Sequence, residues 1–535
     1  MNIVLRILSV VFTVFWVLFV FLDYWQKHPV YFHSFRLFGH WGLAAMLVLL
    51  GVGVVWSVLK FGKHKRYQGV FNGLSLFVLF LFISVSSVGF VFREVVENAS
   101  YDLPKAVHVF SNVAGSALAT YFITLSCFVL GNLLNEKIKV KVKKEDQVVL
   151  DIAAGIGGMV LFLFLLGAVS FLHSFVIFPL LIGLLVYRWK KALAFLKMTL
   201  LQPLVTDKKL NVVGVTGFFL LVTVLSFNFT ALQMPMPPGF DTLTLYANLP
   251  SLIGQHHALV EGFQPYNWSV FMALGHILFD SLSVSLALSY LGGLLALYAM
   301  FVVGRGWLNL DVNTALIAVL AFSLIPNFSG QMFAELKIDL GLLYIYLCIV
   351  LLLLNYFVNA KNSSVKEASR LKSWLFHSPE LLLMGLLAGF SLGTKLTTVY
   401  FTFALICALW YRWAAVRGFF AVFLISLFLV FLLKIDDTAG LRQYHIGVDT
   451  LKWGVLLAGL LLVAGIYTDN KKALLESVRT TALFGVFFLL SFSPWMVKNY
   501  VDTGSLNPTQ LMSGKEASPD INLQILEQNW QRKGQ

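Results

Sequence analysis

The chain is 535 residues long, 59% hydrophobic and only 12% charged, with a mean hydropathy of +0.82. A soluble globular fold has no use for so much apolar surface, whereas a bilayer does, so a polytopic membrane protein is expected. The net charge of +13 does not point to nucleic acid, because the basic residues sit in short loops between apolar runs, as in KFGKHKRYQ (Lys60–Gln68), NEKIKVKVKKEDQ (Asn135–Gln147) and TDKK (Thr206–Lys209). That is how cytoplasmic loops facing anionic lipid are built.

About fifteen apolar runs are long enough to be read as spans, giving an all-α transmembrane bundle. The first, Ile3–Leu22, is long for a signal peptide and has no small-residue cleavage site after it, so it is read as an uncleaved span. Trp41–Leu59, Val70–Phe92, Val107–Leu130, Val149–Val169 and Phe171–Val186 follow. This six-span region, 1–204, is expected to be accessory, since no constellation in it carries chemistry. Glu94, Glu97 and Asp102 read as a solvated loop face. Cys127, and later Cys348 and Cys407, fall inside apolar runs and read as small hydrophobes.

After Val212–Thr230 comes the longest loop, Ala231–Asp280, about fifty residues without Lys or Arg; loops of that length are usually functional. Its stretch LTLYANLPSLIGQHHALVEGF fits either short amphipathic helices on the membrane surface or a solvated loop. The remaining predicted spans are Ser281–Gly304, Val312–Ile325, Ile338–Phe357, Pro379–Gly393, Leu396–Tyr411, Phe419–Leu433, Leu451–Tyr467 and Thr480–Phe492. A cytoplasmic N-terminus places roughly 26 of the 39 basic residues inside. The C-terminus, a short tail over 509–535, and the long loop then face the periplasm.

Four patches share that outer face. In GFDTLTLY, Asp241 is either a helix N-cap or a general base at the interface between water and lipid. In FAELKIDLGLLY, Glu335 and Asp339 lie four apart on one helical face; they either satisfy a helix start or hold a hydroxyl or a metal. In GLLAGFSLGTKLTTVYF, Gly385, Gly389 and Gly393 form a packing stripe. Lys395 beside it is an outer cation that the positive-inside rule does not want, either snorkelling or poised for a phosphate. In FSPWMVKNYVDTGSLNP, Trp495, Asn499 and Tyr500 accompany a second such cation, Lys498, and the aromatics also fit an interfacial belt.

In this order and on one face, the patches resemble the bacterial members of the GT-C glycosyltransferase superfamily, which take sugars from polyprenyl-phosphate donors. The matching residues are Asp241, Leu243 and Tyr246; Asp339; Gly393-Thr394-Lys395; and Ser493-Pro494-Trp495, Lys498-Asn499-Tyr500 and Thr503-Gly504. The resemblance covers about Asn211 to Pro508 and implies a catalytic membrane module over 205–508. It departs from the family at Ala247, where many relatives carry His; His256 and His257 lie nearby, out of register. The Trp-Trp-Asp-Tyr-Gly motif of oligosaccharyltransferases is absent.

The resemblance implies a hexosyltransferase of the bacterial inner membrane, acting in glycan biosynthesis for the cell envelope. Asp241 would be the base, with Asp339 and Glu335 as further catalytic acids. Lys395 and Lys498 would bind the donor phosphate. Tyr246, His256, His257, Trp495, Asn499 and Tyr500 would line the substrate. The partners would be a polyprenyl-phosphate sugar, a glycan, lipid or protein acceptor, and the bilayer, with no nucleic acid. The resemblance fixes no cofactor, and a divalent metal is left open. Two other classes remain: an O-antigen-type polysaccharide polymerase or ligase, and a lipid-linked sugar transporter or flippase. Polymerases and ligases lean on outer-face Arg, which the long loop lacks; transporters bury charge near the midplane, where this sequence has little.

Overall fold

The computed structural model describes residues 73–91, 103–202, 212–232, 245–261, 265–332, 337–362, 378–432 and 448–504, and every regular element among them is helical. In chain order these are α1 (Gly73–Val91), α2 (Leu103–Ile138), α3 (Lys144–Ala168), α4 (Ser174–Tyr187), α5 (Trp189–Leu196), α6 (Val212–Ala231), α7 (Asn248–His256), α8 (Asn267–Met272), α9 (Leu274–Phe279), α10 (Leu282–Gly306), α11 (Val312–Ser323), α12 (Pro326–Gly330), α13 (Asp339–Asn362), α14 (Pro379–Leu392), α15 (Thr398–Leu432) and α16 (Val448–Thr503). Among the described residues, six helices are long and apolar enough to cross a membrane. In hydrocarbon a helix satisfies every backbone N–H and C=O internally, so runs of this composition have no other stable form. The predicted runs Ile3–Leu22 and Trp41–Leu59 lie outside the described residues.

The two longest helices are each doubled. α15 breaks at Ala414–Ala415, where Ala415 has φ 51°. Gly418 then lies against the Trp410 carbonyl, and Val422 clusters with Cys407 and Trp410, so the chain folds back on itself. α16 breaks at Asn470, whose Oδ1 accepts from the Ala473 N–H at 3.0 Å and caps the helix that follows. Both breaks fall in the gaps between the runs predicted over 396–492. The halves meet antiparallel: Trp410 donates to Thr481 Oγ1 at 2.8 Å, Arg417 pairs with Asp469, and Gly459 abuts Ile425.

Glycine sets how closely the helices approach. Gly131 faces the Asp151 carbonyl and Gly155 faces the Cys127 carbonyl, bringing α2 and α3 together at backbone distance. Gly385 and Gly389 bring α14 onto the Phe484 and Phe488 carbonyls of α16 in the same way, as the stripe predicted. One apolar core runs from Val113 on α2 to Trp495 on α16. The six-span N-terminal region therefore shares its core with the later helices, at least through α2 and α3.

The long loop departs from both readings of it. Residues 248–254 of α7 and 267–274 across α8 and α9 are buried, leaving Gln255 and His256 exposed at the end of α7. Trp268 is fully buried against Gly341 and Gly292. The loop's helices sit in the bundle core with their polar residues Asn248, Ser251, Asn267 and Ser269 buried beside the apolar ones.

Two polar ends bracket the core. At one, Asp339 opens α13, α14 closes at Leu392, and α3 ends near Phe164. At the other, Asp146 opens α3, Asn355 nears the end of α13, and Glu380 opens α14. Asp339 and Asn355 lie 16 residues apart on α13, which separates these ends by about 24 Å at 1.5 Å per residue, somewhat less than the hydrocarbon thickness.

A Cβ at Gly155 would collide with backbone, whereas one at Gly157 would meet only Leu387 Cδ2 at 3.9 Å. Gly155→Ala is expected to lower the thermal unfolding midpoint in detergent by forcing α2 from α3, at an overpacking cost of about 1–3 kcal/mol. Gly157→Ala should be neutral or stabilising, since alanine favours helix. Equal effects would contradict the packing described.

Candidate functional site

The site is built at the Asp339 end, around the side chain of Asn267. Its backbone N–H donates to the Gly393 carbonyl at 2.8 Å, its Nδ2 to the Phe390 carbonyl at 2.9 Å, and its Oδ1 accepts from Trp495 Nε1 at 2.8 Å. One carboxamide thus ties the start of α8 to the end of α14 and to the last stretch of α16. Gly393 is needed at the crossing, because a Cβ there would run into Asn267 Nδ2 and the Trp495 ring. Asn267 is 5% exposed with its amide committed, so the Asn267-Trp268-Ser269 sequon is sealed in the folded chain.

Trp495 completes the wall. It is 2% exposed, with Tyr266 and Phe164 edge-on at 4.6 Å and 4.9 Å. The Tyr266 hydroxyl donates to the Val260 carbonyl at 3.0 Å, and burial pushes its phenol above the usual range, so it stays a neutral donor. Trp495, expected against a substrate, is instead spent on holding three segments together.

Two cations flank this wall. Lys395, in the turn after α14, donates from Nζ to Asp339 Oδ1 at 2.6 Å; the side chains are 38% and 26% exposed. Ser391 and Thr394 return their hydroxyls to the Leu387 and Phe390 carbonyls, which tightens this turn. Thr398 just beyond it bonds to Tyr346 of α13 at 2.8 Å. Lys498, one turn after Trp495, pairs with Asp502, and these side chains are only 9% and 10% exposed. A nearly buried pair tolerates desolvation only while both charges are present.

The structure therefore joins Asp339 directly to Lys395, and Lys395 through Gly393 and Asn267 to Trp495 and Lys498. Asn499 is half-buried and Tyr500 is exposed. Tyr246 packs against the core just before α7. His256 is exposed at the end of α7, and His257 turns away from it with φ 53° to meet His173. Asp241 and Glu335 lie outside the described residues. Among the described residues, no group of three or more His, Cys, Asp or Glu side chains is arranged to hold a metal ion; Asp339 Oδ1 is taken by Lys395.

The other end carries a network that the sequence reading passed over. Asp151 accepts from Asn132, Asn135 and Gln147 at 3.0, 2.7 and 2.7 Å. Asp146 Oδ2 accepts from Asn355 at 2.6 Å and from Trp307 Nε1 at 3.1 Å. Lys143 donates to the Gly306 carbonyl at 2.9 Å with its ammonium 3.6 Å from the Trp307 ring centre. Asn132 and Asn135 just past the run that ends at Leu130, and Asp146 and Asp151 around the start of the next, were the available signal, since polar side chains at span ends point at one another.

Asn267→Leu leaves the buried Trp495 Nε1–H without its acceptor, an expected loss of about 1–3 kcal/mol in thermal unfolding. Adding Trp495→Phe removes the orphaned donor, so the double variant should recover part of that loss. A double variant as unstable as the sum of the singles would show that the bond is not the link between these segments.

No family model, no curated protein and no solved structure matches this chain.

Proposed function

We propose that this chain is a membrane glycosyltransferase that moves a sugar from a polyprenyl-phosphate donor to an acceptor hydroxyl. The observation that carries the reading is the meeting of sequence-distant segments at one end of the bundle: the start of α13, the Gly393-Thr394-Lys395 turn, the start of α8 and the Trp495–Asp502 stretch. These hold three of the four patches of the ordered resemblance. The reading includes about fifteen spans, a cytoplasmic N-terminus and an outward-facing Asp339 end in a bacterial inner membrane. The abundance of lysine near the Asp146 end, from Lys137 to Lys144, supports that orientation.

In the reaction, the acceptor oxygen bonds to the anomeric carbon as the bond to the phosphate oxygen breaks. The hydroxyl proton goes to Asp241, and polyprenyl phosphate leaves with the bond's electron pair. A single displacement from the face opposite the leaving group inverts the anomeric centre. The leaving phosphate needs charge stabilisation, which Lys395 is suited to give. Its pairing with Asp339 is no obstacle. A half-exposed ion pair contributes about 0–1 kcal/mol, so the ammonium can turn to an incoming phosphate at little cost, freeing Asp339 to hold an acceptor hydroxyl. Lys498 is tied more firmly to Asp502, which largely cancels its charge, so its part in holding the phosphate is smaller.

Purified protein is expected to release sugar from one member of a panel of polyprenyl-phosphate sugars when acceptors are supplied. Asp241→Asn should lower turnover by about 100-fold or more, and Lys395→Met should lower it by a comparable factor, with both variants folded. Turnover by Asp241→Asn at the wild-type rate would move the base elsewhere. Flux of a lipid-linked sugar across vesicles with no transfer would replace the reading with a transporter.

A further inference from the structure

His173 and His257 are 84 residues apart in sequence, yet their rings are in contact, with centroids 4.0 Å apart and planes tilted by 44°. The meeting is built by the backbone. The corner between α3 and α4 lies alongside the segment leaving α7: the Leu172 N–H donates to the His257 carbonyl at 3.0 Å, and the Leu259 N–H to the Gly167 carbonyl at 3.2 Å. His257 reaches this position by adopting φ 53°, a left-handed conformation uncommon for a residue other than glycine. Both rings are partly exposed, so solvent reaches them.

The tautomer of His257 follows from its partner. Nδ1 lies 3.1 Å from the Leu172 carbonyl oxygen, and a carbonyl only accepts, so Nδ1 carries the proton. In the neutral ring Nε2 then keeps its lone pair. An imidazole that donates one N–H to a backbone carbonyl while presenting the other nitrogen is the usual arrangement of a metal-ligating histidine. Two imidazoles on one ion, each at about 2.0–2.1 Å, have ring centres about 4.5–5 Å apart, so the ion enters as the rings part by about 0.5–1 Å and each turns its in-plane lone pair toward it.

We propose that His173 and His257 bind one divalent transition-metal ion of the kind imidazole favours, Zn2+ or Cu2+, clamping the α3–α4 corner to the segment after α7. Nitrogen ligands without carboxylates select such ions over Mg2+ or Ca2+. With two protein ligands the remaining positions are filled by water. The clamp is three residues from Val260, the acceptor of the Tyr266 hydroxyl, so it steadies the linker behind Trp495. This inference does not rest on the transfer reaction proposed above. It also separates the two adjacent histidines, since His256 points elsewhere.

The test is calorimetric titration of Zn2+ into the full chain, purified without a histidine tag. One saturable ion per chain is expected, bound more weakly as the solution is acidified, because protons compete for imidazole. His173→Gln and His257→Asn should each weaken binding at least about tenfold, while His256→Ala leaves it unchanged. Asparagine is chosen at 257 because it tolerates the left-handed backbone. Electron spin-echo spectroscopy of wild-type protein with one equivalent of Cu2+ needs no variant and should count two imidazoles. Absence of saturable binding, binding that survives both substitutions or depends on His256, or a count other than two would overturn the proposal.

Discussion

The hydrogen bonds of Asn267 hold the Asp339 end together. A buried amide must have its donors and acceptor met, and in a bilayer no water is available to meet them. Asn267 meets its own needs with a carbonyl from α14 and the indole of α16, so each bond that satisfies it also fixes a segment. The close approach this requires is met by Gly393, which has no side chain to collide with the amide or the indole. Lys395 sits two residues beyond Gly393 and Lys498 three beyond Trp495, so the positions of both cations are inherited from this one side chain.

The opposite end is tied by bonds of the same kind from different residues, although Asn135 Oδ1 and Asp146 Oδ1 meet no donor within the described residues. Asp151 gathers three amide donors and Asp146 gathers an amide and an indole, with Lys143 close by to balance charge. These bonds link α2, α3, α10 and α13 where the chain leaves the apolar layer. Between the two ends apolar and glycine-mediated contacts are joined by a few hydrogen bonds, such as those of the Tyr344 and Tyr290 hydroxyls to the Val149 and Leu225 carbonyls. This division gives the molecule a tethered polar network at one end and, at the other, ion pairs of which one stays half-exposed. Of the two ion pairs at the Asp339 end, Asp339–Lys395 is the more exposed and exchanges partners at the lower cost.

Much of the helical framework was legible in the sequence because apolar run length decides it: Val212–Thr230 was expected and Val212–Ala231 is found, and Pro379–Gly393 became Pro379–Leu392. The breaks at Ala414–Ala415 and Asn470 fall in gaps between predicted runs. The long loop was less legible, because alternation of apolar and polar residues at helical spacing fits a membrane-surface helix as well as a buried one. Asn248, Ser251, Asn267 and Ser269 are polar but buried, and their partners lie far along the chain. The Asp339–Lys395 pair, the role of Asn267 and the His173–His257 contact depend on such distant partners, which no local pattern encodes. Lys395 stood out as a misplaced cation, but nothing in the sequence said that Asp339 would meet it.

The central claim is that a lipid-linked sugar phosphate is handled at the Asp339 end. The most direct measurement is photoaffinity labelling of the full chain with a photoreactive polyprenyl-phosphate sugar, followed by mapping of the labelled peptides. The account predicts labelling of the segments carrying Lys395 and Lys498, suppressed by unlabelled donor. Labelling confined to the segments around Asp146 and Asn355, or labelling at Lys395 that the donor does not suppress, would contradict it.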